Sequence, residues 1–325
     1  MTLRLCEKNM NLLTKIPLKP QQHHQLDYNS KIMLFGSCFS ENIGETFKYY
    51  KFQTTVNPFG ILFHPLAIEN LITKAINKDY YSKEDLEFHN EQWCCLEAHS
   101  KLSTISSAAL LEVLNRQIEK AHNDLLNASH IIITLGTSWV YRHIASDKIV
   151  ANCHKIPQKQ FLKELLSVAQ ITESLEAIIS LVKSVNPNIT FLFTVSPVRH
   201  IKDGFIENTR SKSHLLAAIH QVIEPRAQRY YFPSYEIMMD ELRDYRFYNP
   251  DMLHPNEVAI NYIWEKFKTV WLTDDALKVL ETVAAIQAKK AHRPFNPNSE
   301  AHQAFLSKLH LEIENLHKEF PHISF

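Results

Sequence analysis

Glycine is scarce in this sequence, so each of its positions is informative. Only 5 of the 325 residues are glycine, far below the usual share of about 7%. In a chain with so little glycine, we expect each glycine to lie where the backbone needs a conformation that other residues avoid. Gly36, Gly60 and Gly136 each follow an apolar or β-branched run, which indicates tight turns at the ends of strands.

Cysteines are few and long apolar runs are missing. The 5 cysteines are an odd number, which does not favour a disulfide framework in a chain of this length. No stretch approaches the length of a membrane span, and the first residues lack the apolar centre of a signal peptide. These features predict a cytoplasmic protein without a membrane partner.

An excess of charge of one sign is also missing. Lys and Arg together number 35, as do Asp and Glu, which argues against electrostatic binding of nucleic acid. The apolar fraction of 45% and the charged fraction of 22% are ordinary for a globular protein. The length is sufficient for a large domain with a sizeable core.

Buried apolar runs alternate with helical patterns along most of the chain. Residues 131–135 and 190–195 are continuous apolar runs, typical of strands covered on both faces. Shorter runs at 32–35, 52–56, 148–151 and 230–232 predict further strands, and residues 91–96 predict a strand in a hairpin within the insertion described below. Strands that alternate with helices predict an α/β fold of three layers, α/β/α, with a mainly parallel sheet.

Composition divides the chain into three parts. Residues 1–30 are polar and predict an extended arm, and residues 31–272 carry the α/β pattern, with an irregular insertion at about 78–105. Residues 273–325 contain two amphipathic stripes separated by a proline-containing linker, which predicts a helical hairpin. We expect the hairpin to pack on the main domain, and a partner-binding arm is the alternative.

Two nucleophile-capable residues follow the first strand. Gly36 is followed at once by Ser37 and Cys38, and a helix is predicted from about residue 41 to 50. Ligands bind at the carboxyl edge of such sheets, and the positive end of a helix dipole favours a thiolate there. The alternative for Cys38 is a small buried residue that fills the turn.

Asp251 and His254 form a candidate catalytic pair. A histidine near a nucleophile can take its proton, and a carboxylate on the other ring nitrogen fixes the tautomer. Pro255 follows His254, and the pattern predicts that these two residues open a helix running to about residue 271.

These blocks together resemble the GSCFA family. The string Phe-Gly-Ser-Cys-Phe-Ser at 35–40 resembles the family signature. The remaining blocks that resemble the family lie at 57–60, 134–139, 152–155, 196–200 and 251–255. The GSCFA family is itself similar to the SGNH (GDSL-type) hydrolases, so the resemblance implies an SGNH-hydrolase or flavodoxin-like fold and chemistry at an acyl group.

The resemblance implies roles for particular residues. The first SGNH block is Gly-Asp-Ser, with serine as the nucleophile. When the blocks are aligned on Gly36, Ser37 takes the place of the aspartate and Cys38 falls on the nucleophile. Asp251 and His254 match the last block, Asp-x-x-His. Ser37 stays open as an alternative nucleophile.

The same resemblance implies donors for an oxyanion. Gly60 matches the glycine of the second block, whose N–H helps to bind the oxyanion. The third block supplies an asparagine after a glycine, but Gly136 is followed by Thr137 and Ser138. Either hydroxyl, or the indole N–H of Trp139, is a candidate substitute. Loss of such a donor costs on the order of 10²–10³ in rate.

Two further residues are candidates for substrate binding. His154 and Arg199 follow predicted strands. One interpretation is that either residue binds an anionic group such as a phosphate or carboxylate. The alternative is that each packs within the protein or lies at its surface. The cysteines at 94 and 95 with His99 lack a spacing typical of metal ligands. We therefore expect no metal site and no cofactor.

The leading hypothesis is an SGNH-like hydrolase or acyl transferase that acts on an ester or thioester. Its substrate would be a small molecule or a carbohydrate that carries an acyl group, with an acyl-CoA as a further possibility. The alternatives are a binding or scaffold protein on a catalytically decayed hydrolase fold, and an esterase that depends on Ser37. The missing asparagine and the altered first block favour the scaffold alternative.

Overall fold

A computed structural model of the chain describes residues 14–223 and 228–325. The strands of the described residues are β1 (Lys31–Gly36), β2 (Gln53–Val56), β3 (Glu87–His89), β4 (Gln92–Cys94), β5 (His130–Leu135), β6 (Trp139–His143), β7 (Lys148–Val150), β8 (Phe161–Leu165), β9 (Thr190–Val195) and β10 (Arg229–Tyr231). They form one five-stranded sheet, one three-stranded sheet and one two-stranded hairpin.

The α-helices lie between and after these strands. In chain order they are α1 (Cys38–Tyr49), α2 (Pro65–Asn77), α3 (Ser107–Asn127), α4 (Val168–Val185), α5 (Phe205–Ile223), α6 (Ser234–Glu236), α7 (Glu257–Trp271), α8 (Asp274–Ala291) and α9 (Glu300–Glu319). Helix α6 continues as a short π-helix over Ile237–Glu241. Within residues 14–223 and 228–325, every helix is too short or too polar to cross a bilayer.

The central sheet is parallel, with the strand order β10-β9-β5-β1-β2. Strands β5 and β9 lie inside it and are buried along their whole length, as expected for apolar runs covered on both faces. The carboxyl ends of β1, β5 and β9 therefore meet at one edge, which is where the candidate site lies.

Helices cover both faces of this sheet. Met33 and Phe35 of β1 pack into a core with α2, α3, α4 and α5, whereas Ile32 and Leu34 pack into a second core with α1, α7, α8 and α9. Successive side chains of a strand point to opposite faces, so each core is one layer interface. The predicted three-layer α/β/α fold is confirmed.

A smaller antiparallel sheet stands beside the main one. Its order is β7-β6-β8, and only β7 was predicted from the sequence. Strand β6 buries only Val140 and His143, and β8 buries only Phe161, so neither has a continuous buried apolar run. The strand expected in the insertion at 78–105 is β4, which pairs with β3 as a hairpin.

The ends of the described chain pack against the second core. Gln21 N–H donates to Val270 O at 2.8 Å and Leu26 N–H donates to Trp271 O at 2.7 Å, so residues 14–30 run along the end of α7. Residues 1–13 of the expected arm lie outside the described residues. In α9, Leu309 is buried in the same core as α7.

Two predicted helix starts are wrong, and both affect the site. Helix α1 begins at Cys38 instead of about residue 41, because the Ser37 hydroxyl accepts the Phe39 N–H and caps the helix. Helix α7 begins at Glu257 with Asn256 as its N-cap, so His254 does not open a helix. His254 lies instead in a loop, where its carbonyl accepts the Asn249 N–H at 2.8 Å.

Candidate active site

The turn after β1 is built on a close approach of two strands. Gly36 has φ +135°, and a Cβ added there would lie 2.1 Å from Thr134 O of β5. Ser37 N–H then donates to the same carbonyl at 3.1 Å. Only glycine tolerates both the conformation and the contact, so Gly36 fixes where the following two residues stand.

Ser37 and Cys38 have different environments. The Ser37 side chain is fully buried, and its hydroxyl accepts the Phe39 N–H at 3.3 Å. Cys38 is the first residue of α1 and is partly exposed. Ser37 therefore has a structural contact as helix cap, and Cys38 is the residue that solvent and ligands reach.

Burial raises the pKa of the Cys38 thiol, and Glu41 raises it further. The N–H groups of Phe39 and of Cys38 itself lower it, as does the charge of Lys212. The net shift is upward, because removing water penalises the thiolate more than the nearby donors stabilise it. A base is therefore needed to generate the thiolate at neutral pH.

Asp251 holds His254 in a defined tautomer. Asp251 Oδ2 lies 2.6 Å from His254 Nδ1, and its other oxygen accepts the N–H of Leu253 at 2.9 Å and of His254 at 3.0 Å. The His254 and Leu253 N–H groups and the His254 ring lower the pKa of Asp251 to about 2. The ionised carboxylate requires a proton on Nδ1, which leaves Nε2 free to act as a base.

His200 lies between this loop and the sheet edge. Its ring packs edge-on against Phe63, with 5.5 Å between the ring centres, and its buried Nε2 has no hydrogen-bond partner. Burial, together with the charges of Lys212 and His254, lowers the pKa of His200 to about 3. His200 therefore stays neutral near pH 7.

Lys212 is a fully buried lysine at the same edge. Its Nζ donates to Gly136 O and Ser196 O, each at 2.7 Å, and these carbonyls follow β5 and β9. Burial lowers the pKa of Lys212 to about 7, while Cys38 raises it. The sequence analysis did not single out Lys212. The available signal was its place in the apolar stripe of α5, which continues with Leu215 and Ile219.

The backbone donors expected for the oxyanion are already bonded. Gly60 has φ +75°, and its N–H donates to Asn57 O at 2.7 Å within a turn. The N–H groups of Gly136 and Thr137 both donate to Phe63 O, at 2.8 and 3.1 Å. These glycines therefore shape the edge of the sheet, and their N–H groups point into the protein.

The side-chain donors proposed as substitutes are also engaged. Ser138 Oγ donates to Ser211 O at 3.1 Å, and Thr137 Oγ1 accepts the Trp139 N–H at 3.0 Å. The Trp139 indole donates to Glu207 O at 3.3 Å. In this conformation Ser138 and Trp139 offer no donor to a ligand at the end of β5, and the Thr137 hydroxyl lies 3.0 Å from Ser211 Oγ.

Asn57 offers a buried donor without a partner. Its Oδ1 accepts the Gly36 N–H at 2.8 Å, while its Nδ2 is buried and makes no hydrogen bond. Unpaired buried donors are uncommon and ask for an explanation. Because Asn57 holds the residue two positions before Cys38, the amide belongs to the turn after β1. From the sequence, Asn57 was noted only within the block at 57–60 that resembles the family.

His154 and Arg199 have separate surroundings. His154 Nε2 lies 2.8 Å from Cys95 O and 3.0 Å from Ala98 O, so it carries a proton that those carbonyls accept. Burial lowers the pKa of His154, which removes the charge that an anion site would use. The Arg199 backbone N–H donates to Leu253 O at 3.3 Å, which ties Arg199 to the loop of His254.

The site thus combines two groups of residues through electrostatics. Lys212 acts on the pKa of Cys38, and both Lys212 and His254 act on that of His200. Among the described residues, no hydrogen bond joins the Cys38 sulfur to the His254 ring. In the same part of the chain, no three His, Cys, Asp or Glu side chains come close enough to hold a metal ion.

Comparisons with known proteins identify the family. The GSCFA family model matches residues 31–267, which include the sheet and every candidate catalytic residue. A second model, described as GSCFA domain protein, C-terminal domain, matches residues 283–325. No curated protein matches the chain. The first match covers well over half of the sequence, and the chain belongs to the GSCFA family.

Proposed function

We propose that the protein is an SGNH-like hydrolase or acyl transferase that uses Cys38 to attack the carbonyl carbon of an ester or thioester. The observation that carries the proposal is the Asp251–His254 contact of 2.6 Å. This contact fixes a histidine tautomer with a free Nε2. The loop that carries it is tied by the Arg199 N–H, through Leu253 O, to the segment after β9, at the same sheet edge where Cys38 begins α1.

In the first half-reaction, His254 Nε2 takes the thiol proton as the Cys38 sulfur bonds to the acyl carbon. The His254 imidazolium, stabilised by Asp251, then gives that proton to the leaving alcohol or thiol. The product is a thioester on Cys38. In the second half-reaction a water or an acceptor hydroxyl attacks this thioester, His254 takes the proton of that nucleophile and passes it to the departing Cys38 sulfur, and the acyl group leaves as an acid or a new ester.

Two groups are suited to stabilise the oxyanion. As the first residue of α1, Cys38 has an N–H without an acceptor inside the helix. The buried Asn57 Nδ2 has no partner and takes the role of the asparagine missing after Gly136. Lys212 supports the transient thiolate through its charge.

The test is acylation of the protein by a 4-nitrophenyl ester, followed by mass spectrometry of its peptides. We expect an acyl group on Cys38 and none on Ser37, with turnover reduced at least about 10²-fold in Cys38→Ala and in His254→Asn. Cys94→Ala, which removes another free cysteine, is the control and should behave as wild type.

The outcomes separate the alternatives. An acyl group on Ser37, or wild-type turnover in Cys38→Ala, would overturn the role of Cys38. A Ser37→Ala variant that retains acylation would limit Ser37 to its contact as helix cap.

The second candidate is a binding protein on a decayed hydrolase fold. It is favoured by the bonded state of the Gly60, Gly136 and Thr137 N–H groups and by the raised pKa of Cys38. This candidate predicts that neither the 4-nitrophenyl ester nor an acyl thioester modifies Cys38, whereas a ligand still binds to the Cys38→Ala variant.

A further inference from the structure

A cavity of about 370 Å³ lies beside the candidate active site. It is enclosed by the start of α2, by β6 and by the segment that follows β7. Its apolar walls include Phe63, Trp139, Val150, Ile156 and Phe161. This volume falls within the range of small-molecule sites, which are mostly apolar with a few polar groups.

The charged residues that line the cavity are of one sign. Lys155 and Lys202 line it, and none of its lining residues is Asp or Glu. Neither lysine forms an ion pair with a described residue. The nearby Lys163, by contrast, is paired with Asp203 at 2.6 Å. The cavity therefore offers two unneutralised cations beside an apolar surface.

The two histidines that line the cavity are satisfied within the protein. His64 Nδ1 accepts the Ala67 N–H and its Nε2 lies 3.1 Å from Val150 O. His154 donates to backbone carbonyls. The two lysine ammonium groups are thus the charged donors that remain for a ligand, and they favour a ligand that carries an anion.

The cavity shares a wall with the candidate active site. Phe63 lines it, and the Phe63 carbonyl accepts the N–H groups of Gly136 and Thr137. The Phe63 ring also packs edge-on against His200, at 5.5 Å between ring centres. A ligand in the cavity would therefore lie one side chain, Phe63, away from His200.

We propose that this cavity binds an apolar group that ends in a carboxylate or phosphate, with the apolar part against Trp139 and the anion at Lys155 and Lys202. Its identification as the acyl part of the substrate rests on the proposed function, whereas the binding itself does not. The inference narrows the substrate class to acyl groups with an apolar body and an anionic end.

The test is calorimetric binding to the Cys38→Ala protein, which removes turnover from the measurement. The probes are 4-phenylbutyrate, its uncharged amide 4-phenylbutanamide, and phenyl phosphate. We expect at least one anionic probe to bind about tenfold more tightly than the amide. The Lys155→Met/Lys202→Met variant should lose this preference and still bind the amide. Lys148→Met, a nearby lysine outside the lining, should retain it.

Protection of Cys153 locates the bound probe. Cys153 lines the cavity and is partly exposed, so a bound probe should slow its alkylation by N-ethylmaleimide at least several-fold, as measured by peptide mass spectrometry. Equal binding of acid and amide, or binding that leaves Cys153 alkylation unchanged, would overturn the inference. The relative affinities of the carboxylate and phosphate probes decide which anion the site prefers.

The result is independent of catalysis. Anion-selective binding without acylation of Cys38 would leave the cavity assignment standing and overturn the proposed function. Acylation of Cys38 by neutral esters without any anion preference at the cavity would support the proposed function and overturn the cavity assignment.

Discussion

At the scale of single residues, Lys212 is the most unusual group in the protein. It is 1% exposed, and two of its N–H groups donate to the carbonyls of Gly136 and Ser196. The bond to Cε takes a third tetrahedral position on Nζ, and the fourth carries either a proton or a lone pair. Burial lowers the pKa of Lys212 to about 7, so both forms occur near neutral pH.

This shift gives a pH dependence with a defined sign. An unfolded lysine titrates near 10.4, so between about pH 7 and pH 10 the unfolded chain binds more protons at this residue than the folded chain. The free energy of unfolding contributed by Lys212 therefore rises with pH in this window, by up to about 1.4 kcal/mol per pH unit.

We expect Lys212→Met to remove that slope. The measurement is urea unfolding of both proteins between pH 7 and 9, with the difference between them plotted against pH. Lys148→Met, which changes an exposed lysine, is the control and should keep the wild-type slope. Parallel curves for wild type and Lys212→Met would show that Lys212 titrates as an ordinary lysine.

The sequence indicated the candidate nucleophile and the candidate base but not their surroundings. Cys38 and the Asp251–His254 pair stand in short motifs whose spacing carries chemical meaning. Lys212 and Asn57 matter only through contacts with residues far away in the chain, namely Gly136 and Gly36. The same limit explains why the predicted oxyanion donors, the N–H groups of Gly60 and Gly136, are already hydrogen-bonded in the structure. The presence of a glycine in the sequence does not show which acceptor its N–H will meet.

At the scale of elements, the start of α2 joins a helix to the smaller sheet. The His64 side chain caps α2 through the Ala67 N–H and reaches Val150 O of β7. Because a carbonyl only accepts, Nε2 carries the proton and Nδ1 is the acceptor. Burial lowers the pKa of His64 to about 4, although the bond to Val150 raises it slightly.

Protonation of His64 should therefore destabilise the protein in a defined window. Between about pH 6.5 and pH 4, His64 is protonated in the unfolded chain but neutral in the folded protein. The free energy of unfolding therefore falls as the pH is lowered. The loss attributable to His64 is about 3 kcal/mol across the window. We expect His64→Ala to cost about 1–3 kcal/mol at pH 7 and to lose less stability on acidification.

The matched control is Ser106→Ala, which removes the side-chain cap of α3 without a titratable group. It should cost about 1 kcal/mol at every pH. Chemical denaturation at pH 7 and pH 5 measures both variants. Equal acid sensitivity of wild type and His64→Ala would contradict the lowered pKa of His64.

Elements were predictable where burial is uniform. Strand β9 matches its predicted range, because its six consecutive buried residues form the continuous run that is typical of a strand covered on both faces. Strands β6 and β8 were missed because one face of each lies open and their apolar runs are broken. Helix starts depended on caps, and the sequence offered several competing polar residues near both Cys38 and Glu257.

At the scale of the whole molecule, the last helix belongs to the core of the main domain. The family description treats residues 283–325 as a separate C-terminal domain. Leu316 of α9 is nevertheless buried in the cluster that holds Phe47 of α1 and Trp264 of α7. The ring of Phe320 also packs on Tyr28, with 5.5 Å between ring centres. Physically, the C-terminal segment completes one layer of the α/β/α fold.

This arrangement predicts that a core change in α9 destabilises the whole protein. Leu316→Ala should cost about 2–5 kcal/mol, because it leaves a cavity in a shared core, whereas Leu311→Ala on the exposed face of α9 should cost no more than about 0.5 kcal/mol. Thermal unfolding followed by circular dichroism and by tryptophan fluorescence measures both. Coincident transitions that shift together in Leu316→Ala indicate one cooperative unit. A separate early transition seen only by circular dichroism would instead show that α9 unfolds by itself, because Trp264 and Trp271 lie in α7.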